Sequence, residues 1–218
     1  MPKKGKPKYI VGIDEVGRGP IAGEVAVGAV LIFAEHYKKV EKIFPVIKDS
    51  KKLSAKAREA WLVKIREAES RGHLISKVSF VSSSIIDKKG IAHSIRTALA
   101  ESLEFVVFHA LKRFDLENLG LRLDLGRIRV LLDGGLKAPK EYEHQETIIK
   151  GDEKELVIAL ASIVAKVTRD ERMIKLAKKF PEYGFEKHKG YGTRAHYAAV
   201  RKYGLTKHHR RSYLLKLA

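Results

Sequence analysis

The segment "YIVGID", Tyr9–Asp14, is apolar up to its last residue, and "EVAVGAVLIF", Glu24–Phe33, is rich in β-branched residues. Both predict buried strands. The connection between them is too short for the crossover a parallel pair needs, so they are expected to pair antiparallel. Ser54 precedes "AKAREAWLVKIREAES", whose apolar positions recur at helical spacing, with Ser54 as the expected N-cap and Gly72 beyond the expected end. His73–Val81 predicts a third strand, Ile91–Phe114 a long helix, Arg127–Asp133 a short buried strand and Gln145–Lys150 another. Glu153–Phe180 predicts a second long helix, stopped by Pro181, and Thr193 to Tyr203 a final one. A meander of strands followed by strands separated by helices predicts a mixed sheet with helices on its faces: an α/β fold with a helical C-terminal appendage. Residues 1–8 read as a basic mobile tail, 9–180 as the main domain and 181–218 as a basic appendage packed on it.

Charge changes this picture. The chain of 218 residues carries 44 Lys and Arg against 26 Asp and Glu, a formal net charge of +18, which favours a polyanionic partner such as nucleic acid. From Lys187 to Ala218 nine Lys or Arg and no acid are interleaved with Tyr191, Tyr197, Tyr203 and Tyr213. No cysteine is present, which excludes disulfides and thiolate metal sites and suits a reducing cytoplasm. The apolar runs Val25–Ala34 and Leu156–Ala165 are about half the length of a bilayer span, so no membrane helix is expected.

Acids at strand ends carry the chemistry, because strand termini in an α/β sheet project into the crevice where ligands bind. Asp14 ends the first predicted strand and Asp133 the fourth, just before Gly134 and Gly135. Alternation sends Asp14 and Glu15 to opposite faces, so the strand is expected to break at Glu15, with Gly17 and Gly19 supplying the freedom. On the second long helix Ala159, Ile163, Lys166 and Asp170 share a face; read alone, Asp170 is most simply an ion-pair partner of Lys166. Carboxylates that converge repel one another unless they hold divalent metal, and all-oxygen ligation points to Mg²⁺ or Mn²⁺. Two such ions drive in-line phosphodiester hydrolysis, which makes the chain a nuclease candidate. A dinucleotide fingerprint, Gly17-x-Gly19-x-x-Ala22, fails because Pro20–Phe33 leaves no room for the helix it must open. A non-catalytic nucleic-acid-binding protein would account for the charge but not for acids in separate segments.

Five blocks then carry a family likeness: "GIDEVGRGPIAG" (12–23), "DSKKLS" (49–54), "LLDGG" (131–135), "GDEKELVIALASIVAKVTRDERM" (151–173), and "YGFEKHKGYGT" (183–193) with "RKYGLTKHHRRSY" (201–213). In these the chain resembles ribonuclease HII, the type 2 ribonuclease H family. The resemblance implies an RNase H-like mixed five-stranded sheet flanked by helices with a C-terminal helical region, 9–180 being the catalytic domain. It implies four catalytic, metal-binding carboxylates, falling on Asp14, Glu15, Asp133 and, through "KVTRD", Asp170. It implies a monomeric endonuclease that uses two Mg²⁺ or Mn²⁺ ions to cut the RNA strand of RNA/DNA hybrids and to cut 5′ of ribonucleotides embedded in duplex DNA, leaving 3′-hydroxyl and 5′-phosphate ends. The family's Gly-Arg-Gly motif, here Gly17, Arg18 and Gly19, reads the 2′-hydroxyl; Tyr191 matches a tyrosine that packs on the next deoxyribose. Lys51, Lys52 and Ser54 fall in a block that approaches the substrate backbone, and His188 is expected to face phosphate or to be structural. Glu24 and Gly90 depart from the family pattern, which commonly has proline and asparagine there. No clear sliding-clamp motif is visible at the C-terminus, and clamp recruitment stays open, as does another nuclease of the same superfamily, such as a resolvase or integrase.

Overall fold

The computed structural model describes residues 7–45, 53–115 and 125–214; Lys51, Lys52 and most of the predicted tail lie outside these. The apolar runs form one five-stranded sheet in the order β3-β2-β1-β4-β5. Strand β1 (Tyr9–Val16) pairs antiparallel with β2 (Val25–Phe33), Tyr9 opposite Phe33 and Val16 opposite Ala26. Strand β3 (Leu74–Val81) extends the meander on the far side of β2. Strands β4 (Ile128–Asp133) and β5 (Gln145–Ile148) add in parallel on the other side of β1. Every residue of β2 is buried, as the centre of a sheet covered on both faces requires.

The helices divide between the two faces. On one, Val11, Ile13, Leu31 and Leu132 meet Leu99, Leu103 and Val106 of α4 (Ile91–Asp115). On the other, Val30, Ile32 and Leu131 meet Val157, Leu160 and Val164 of α5 (Leu156–Lys179), with Ile65 of α2 (Ala55–Ser70) and Val40 of α1 (Tyr37–Ile43) beyond. The Ser54 hydroxyl accepts from the Ala57 N–H at 3.2 Å, the predicted N-cap of α2. Helix α1 and α3 (Ser83–Lys89) have no counterpart among the expected elements; each is seven residues long, too short for helical periodicity to show. Among the described residues no helix is long and apolar enough to cross a membrane.

Helix α5 lies unusually close to the sheet. A Cβ on Gly12 would collide with the Val157 carbonyl, and one on Gly28 would lie 2.5 Å from the Ala161 oxygen. The bare backbone at these two positions admits the helix backbone. Beyond α5, α6 (Phe185–His188) and α7 (Arg194–Tyr203) build a third apolar cluster: Phe185, Tyr183, Ala199 and Val200 pack on Met173, Ala177 and Ala22. The C-terminal chain also pairs with the turn after β1: Gly23 N–H donates to His208 O at 2.8 Å, Arg210 N–H to Ile21 O at 2.8 Å and Ile21 N–H to Gly190 O at 2.9 Å.

Gly28→Ala tests the helix seat. With backbone as the colliding partner, the overpacking is expected to cost about 3 kcal/mol or more, lowering Tm by roughly 6–12 °C in a thermal melt.

Candidate active site

Strand β4 stops at Asp133, whereas β1 runs on to Val16, its parallel pairing with β4 ending at Ile13 opposite Leu132. The expected break at Glu15 does not occur, since Glu15 still pairs with Val27 and Val16 with Ala26. Asp14 and Glu15 reach a common site because their neighbour strand ends, which leaves the end of β1 overhanging next to Asp133. Asp14 is buried, at 7% exposure, and its carboxylate accepts from the Glu15 N–H at 2.8 Å. One oxygen of Asp133 accepts from the Gly151 N–H at 2.6 Å. Arg18 donates to Glu15 Oε1 at 2.9 Å.

Burial pushes the Asp14 carboxyl up to about 7; the Ser162 hydroxyl opposes the rise, and Asp133, Glu15 and Asp152 add to it by repulsion. Glu15 is raised as well, chiefly by burial, against the hydrogen bond and charge of Arg18. Asp152, buried at 1% exposure, is the acid that joins this cluster from beyond β5. The family-based assignment of Asp170 fares differently: Asp170 lies two helical turns past Ser162 and accepts from Lys166 Nζ at 2.8 Å, the ion pair its helical spacing suggested. A sequence signal for Asp152 exists. "GDEKE" follows the predicted strand Gln145–Lys150, a looser form of the strand-end placement that singled out Asp133.

Among the described residues no three His, Cys, Asp or Glu stand in a metal-holding arrangement as their side chains lie. Their oxygens face protein donors instead: Glu15 the Arg18 guanidinium, Asp133 the Gly151 N–H. The donor set nonetheless fits a hard divalent cation, because it is all oxygen, wholly or partly buried, and mutually repulsive, burial with that repulsion raising Asp14 to about 7.

Beside the acids the chain turns through Gly17, at φ 91, where a Cβ would strike the Arg169 side chain; a side chain is excluded by both conformation and space. The Tyr191 ring stands next to Gly19, its edge 3.8 Å from where a Cβ would be. Tyr191 is 43% exposed and its backbone is firmly held. Thr206 N–H donates to His209 Nδ1 at 3.0 Å, His209 and His196 share their Nε2 atoms at 3.1 Å, and His196 Nδ1 meets the Tyr191 carbonyl at 2.9 Å. That chain of donors allows one tautomer of each ring, both neutral, and burial lowers both histidines to about 4. His188 is structural in its contacts: Nε2 meets Tyr183 O at 2.8 Å and Nδ1 accepts from Gly190 N–H at 3.2 Å. Ser54 is occupied as a helix cap. On the far side of Arg18, a cleft of about 210 Å³ is lined by Arg18, Arg96, Lys137, Gly135, Leu136 and Leu99. Arg96 and Lys137 had no sequence signal, being ordinary basic residues brought to the site by α4 and the Asp133 turn.

The acids destabilise the metal-free fold. A carboxyl held above its unfolded value of 3.8 binds more protons folded than unfolded, so its penalty is absent below that value, grows as the pH rises and is complete above about 7. Asp14→Asn is therefore expected to raise the unfolding free energy in chelator by about 1–3 kcal/mol at pH 8. The gain should fade towards pH 4 in denaturant titrations at the two pH values.

The family model described as Ribonuclease HII matches residues 11–216. The ribonuclease HII of Bacillus cytotoxicus is 38% identical over 205 residues, covering 94% of this chain and 68% of that protein. Among solved structures, the ribonuclease H2 of Pyrococcus horikoshii matches with a TM-score of 0.66 at 25% identity, covering 96% of both chains. An Archaeoglobus fulgidus RNase HII, solved in complex with PCNA, matches with a TM-score of 0.66 at 24% identity over 93% of both chains and shares the fold. On the breadth of the family match and the identity to these relatives, the chain belongs to the ribonuclease HII family.

Proposed function

We propose that this protein is an endonuclease that hydrolyses the RNA strand of RNA/DNA hybrids and cuts 5′ of ribonucleotides embedded in duplex DNA, leaving 3′-hydroxyl and 5′-phosphate ends. One observation carries the reading: buried Asp14 and Asp152 and half-buried Glu15 and Asp133, from β1, the segment after β5 and the end of β4, gather beside a glycine turn, in a chain of net charge +18. The positive surface draws in a polyanionic duplex, and the acids wait where one phosphodiester would sit.

Asp14, Glu15, Asp133 and Asp152 would hold Mg²⁺ or Mn²⁺, with Asp152 taking the place that the family pattern lent to Asp170. Bound there, the ions would lower the pKa of a water so that it can give up a proton and attack phosphorus as hydroxide, and would place positive charge at the leaving oxygen. The residues' own part is to aim the oxygens. Gly151 N–H orients Asp133, the Ser162 hydroxyl and Glu15 N–H orient Asp14, and Arg18 holds Glu15 Oε1 and opposes the rise that burial gives its carboxyl. Gly17, Arg18 and Gly19 offer backbone groups to the ribose, since a glycine on each side of Arg18 lets peptide groups approach a 2′-hydroxyl, the group that separates RNA from DNA. Tyr191, exposed beside Gly19, presents a ring face to the neighbouring sugar. Arg96 and Lys137 continue the cationic track past Arg18.

The test is a labelled DNA duplex carrying one ribonucleotide, incubated with and without divalent metal, and mapped for its cut. A single metal-dependent cut 5′ of the ribonucleotide is expected; a cut elsewhere, or one that survives chelation, refutes the reading. The fourth acid is tested by two variants. Asp152→Asn is expected to lose more than the roughly 10–100-fold in rate that removal of an outer partner costs, and Asp170→Asn to keep most of its rate in steady-state assays.

A further inference from the structure

Two arginines are among the most buried side chains of the molecule, Arg210 at 0% and Arg169 at 1% exposure, and neither meets a carboxylate within ion-pair distance among the described residues. Their partners are backbone carbonyls. Arg210 donates from Nη2 to Gly17 O at 2.7 Å, from Nη1 to Arg18 O at 3.0 Å and from Nε to Gly23 O at 3.0 Å. The Tyr213 hydroxyl donates to the same Arg18 carbonyl at 3.1 Å, and its ring lies 5.2 Å from the Arg210 guanidinium. Arg169 donates to Glu24 O at 2.9 Å and to Lys189 O at 3.1 Å. Burial, with a smaller contribution from the charge of Arg169, lowers Arg210 to about 10, and Tyr213 and Asp87 oppose the fall. Two buried like charges with no carboxylate in ion-pair contact among the described residues, the nearest acids acting only at longer range, oppose stability, so the arrangement calls for another account than holding the fold together.

Peptide geometry supplies one. In a planar trans peptide the C=O and the following N–H point in opposite directions. With the Gly17 and Arg18 carbonyls drawn inward onto one guanidinium, the N–H groups of Arg18 and Gly19 are turned away from Arg210. Successive N–H groups so presented form a concave donor pair suited to an electron-rich oxygen.

We infer that Arg210, supported by Tyr213, is a positioning residue for sugar discrimination: it aims the Arg18 and Gly19 N–H groups at the ribose 2′-oxygen. This rests on the proposed reading of the Gly17–Gly19 turn as the 2′-hydroxyl reader, and it assigns part of the basic C-terminal segment to the protein's own backbone instead of to phosphate. Arg210 touches no reacting atom in this scheme. Its effect passes through the turn it holds.

The experiment compares wild type, Tyr213→Phe, Arg210→Lys and Arg210→Ala, in the full chain. Affinity is measured for an all-DNA duplex and for the same duplex with one ribonucleotide, together with kcat and KM on the latter and Tm. Tyr213→Phe removes one hydroxyl from the rim, so its Tm should stay within about 2 °C of wild type. Its preference for the ribonucleotide duplex should fall about fivefold, the size of one ordinary hydrogen bond, with all-DNA affinity unchanged. Arg210→Ala should lose the preference more fully, and Arg210→Lys should recover part of it. Unchanged preference in folded Tyr213→Phe and Arg210→Lys overturns the inference; equal loss of affinity for both duplexes also overturns it, by showing phosphate binding or general damage. If wild type itself fails to distinguish the two duplexes, the reading of the turn falls instead.

Discussion

Because Gly12 and Gly28 carry no side chain, the backbone of α5 rests directly on β1 and β2, and that seat determines what the rest of the helix can reach. Gly12 and Asp14 point to the same face, so the helix that covers Gly12 with Val157 brings Ser162 to the Asp14 carboxylate. At about 1.5 Å of rise per residue, each further turn meets a new layer. Lys166 and Asp170 pair with each other, Arg169 enters the turn after β1, and Met173 with Ala177 floors the C-terminal cluster. A helix standing a side chain further off the sheet would disconnect acids, turn and C-terminal segment at once.

Charge is distributed by the same scaffold. The +18 of the chain resembles a uniform coat only at the level of composition. Arg169 and Arg210 face inward onto carbonyls, and His196 and His209 are neutral links in a hydrogen-bonded chain that ends on Tyr191. Glu24 answers a surface charge: Arg172 meets both its oxygens at 2.6 and 2.8 Å while lying over the Phe80 ring. The basic groups left facing outward near the site, Arg18, Arg96 and Lys137, lie along one cleft beside the acids.

Long apolar runs made the strands and the two long helices readable in advance, and the short β1–β2 connection made their antiparallel pairing readable too. The strand order was not, because it depends on which edge of β1 receives β4. Nor was the reach of Glu15, since pleating alone says that neighbours diverge and says nothing of a partner strand that ends early. Asp152 and Asp170 occupy one sequence block, and nothing local in it says that Asp152 acts on Asp14 while Asp170 pairs with Lys166. Arg210 was hidden for a different reason. In a run of basic residues, nothing local separates a guanidinium aimed at phosphate from one enclosed by carbonyls, which is a property of tertiary contact.

The buried polar groups of the site constrain the fold from both ends of the pH scale. Asp14, raised from 3.8 to about 7, weakens the fold progressively as the pH rises through that interval. His196 and His209, lowered from 6.5 to about 4, do the reverse: the unfolded chain takes up their protons first, so stability falls as the pH falls through theirs. The two intervals overlap, and the metal-free protein has no pH at which both costs vanish. A divalent cation among the carboxylates would remove the acidic cost and leave the histidine limit in place, so occupancy of the site should broaden the stable range only on its alkaline side. The histidines that hold Tyr191 and the carboxylate of Asp14 therefore set opposite ends of the pH range over which the fold is stable.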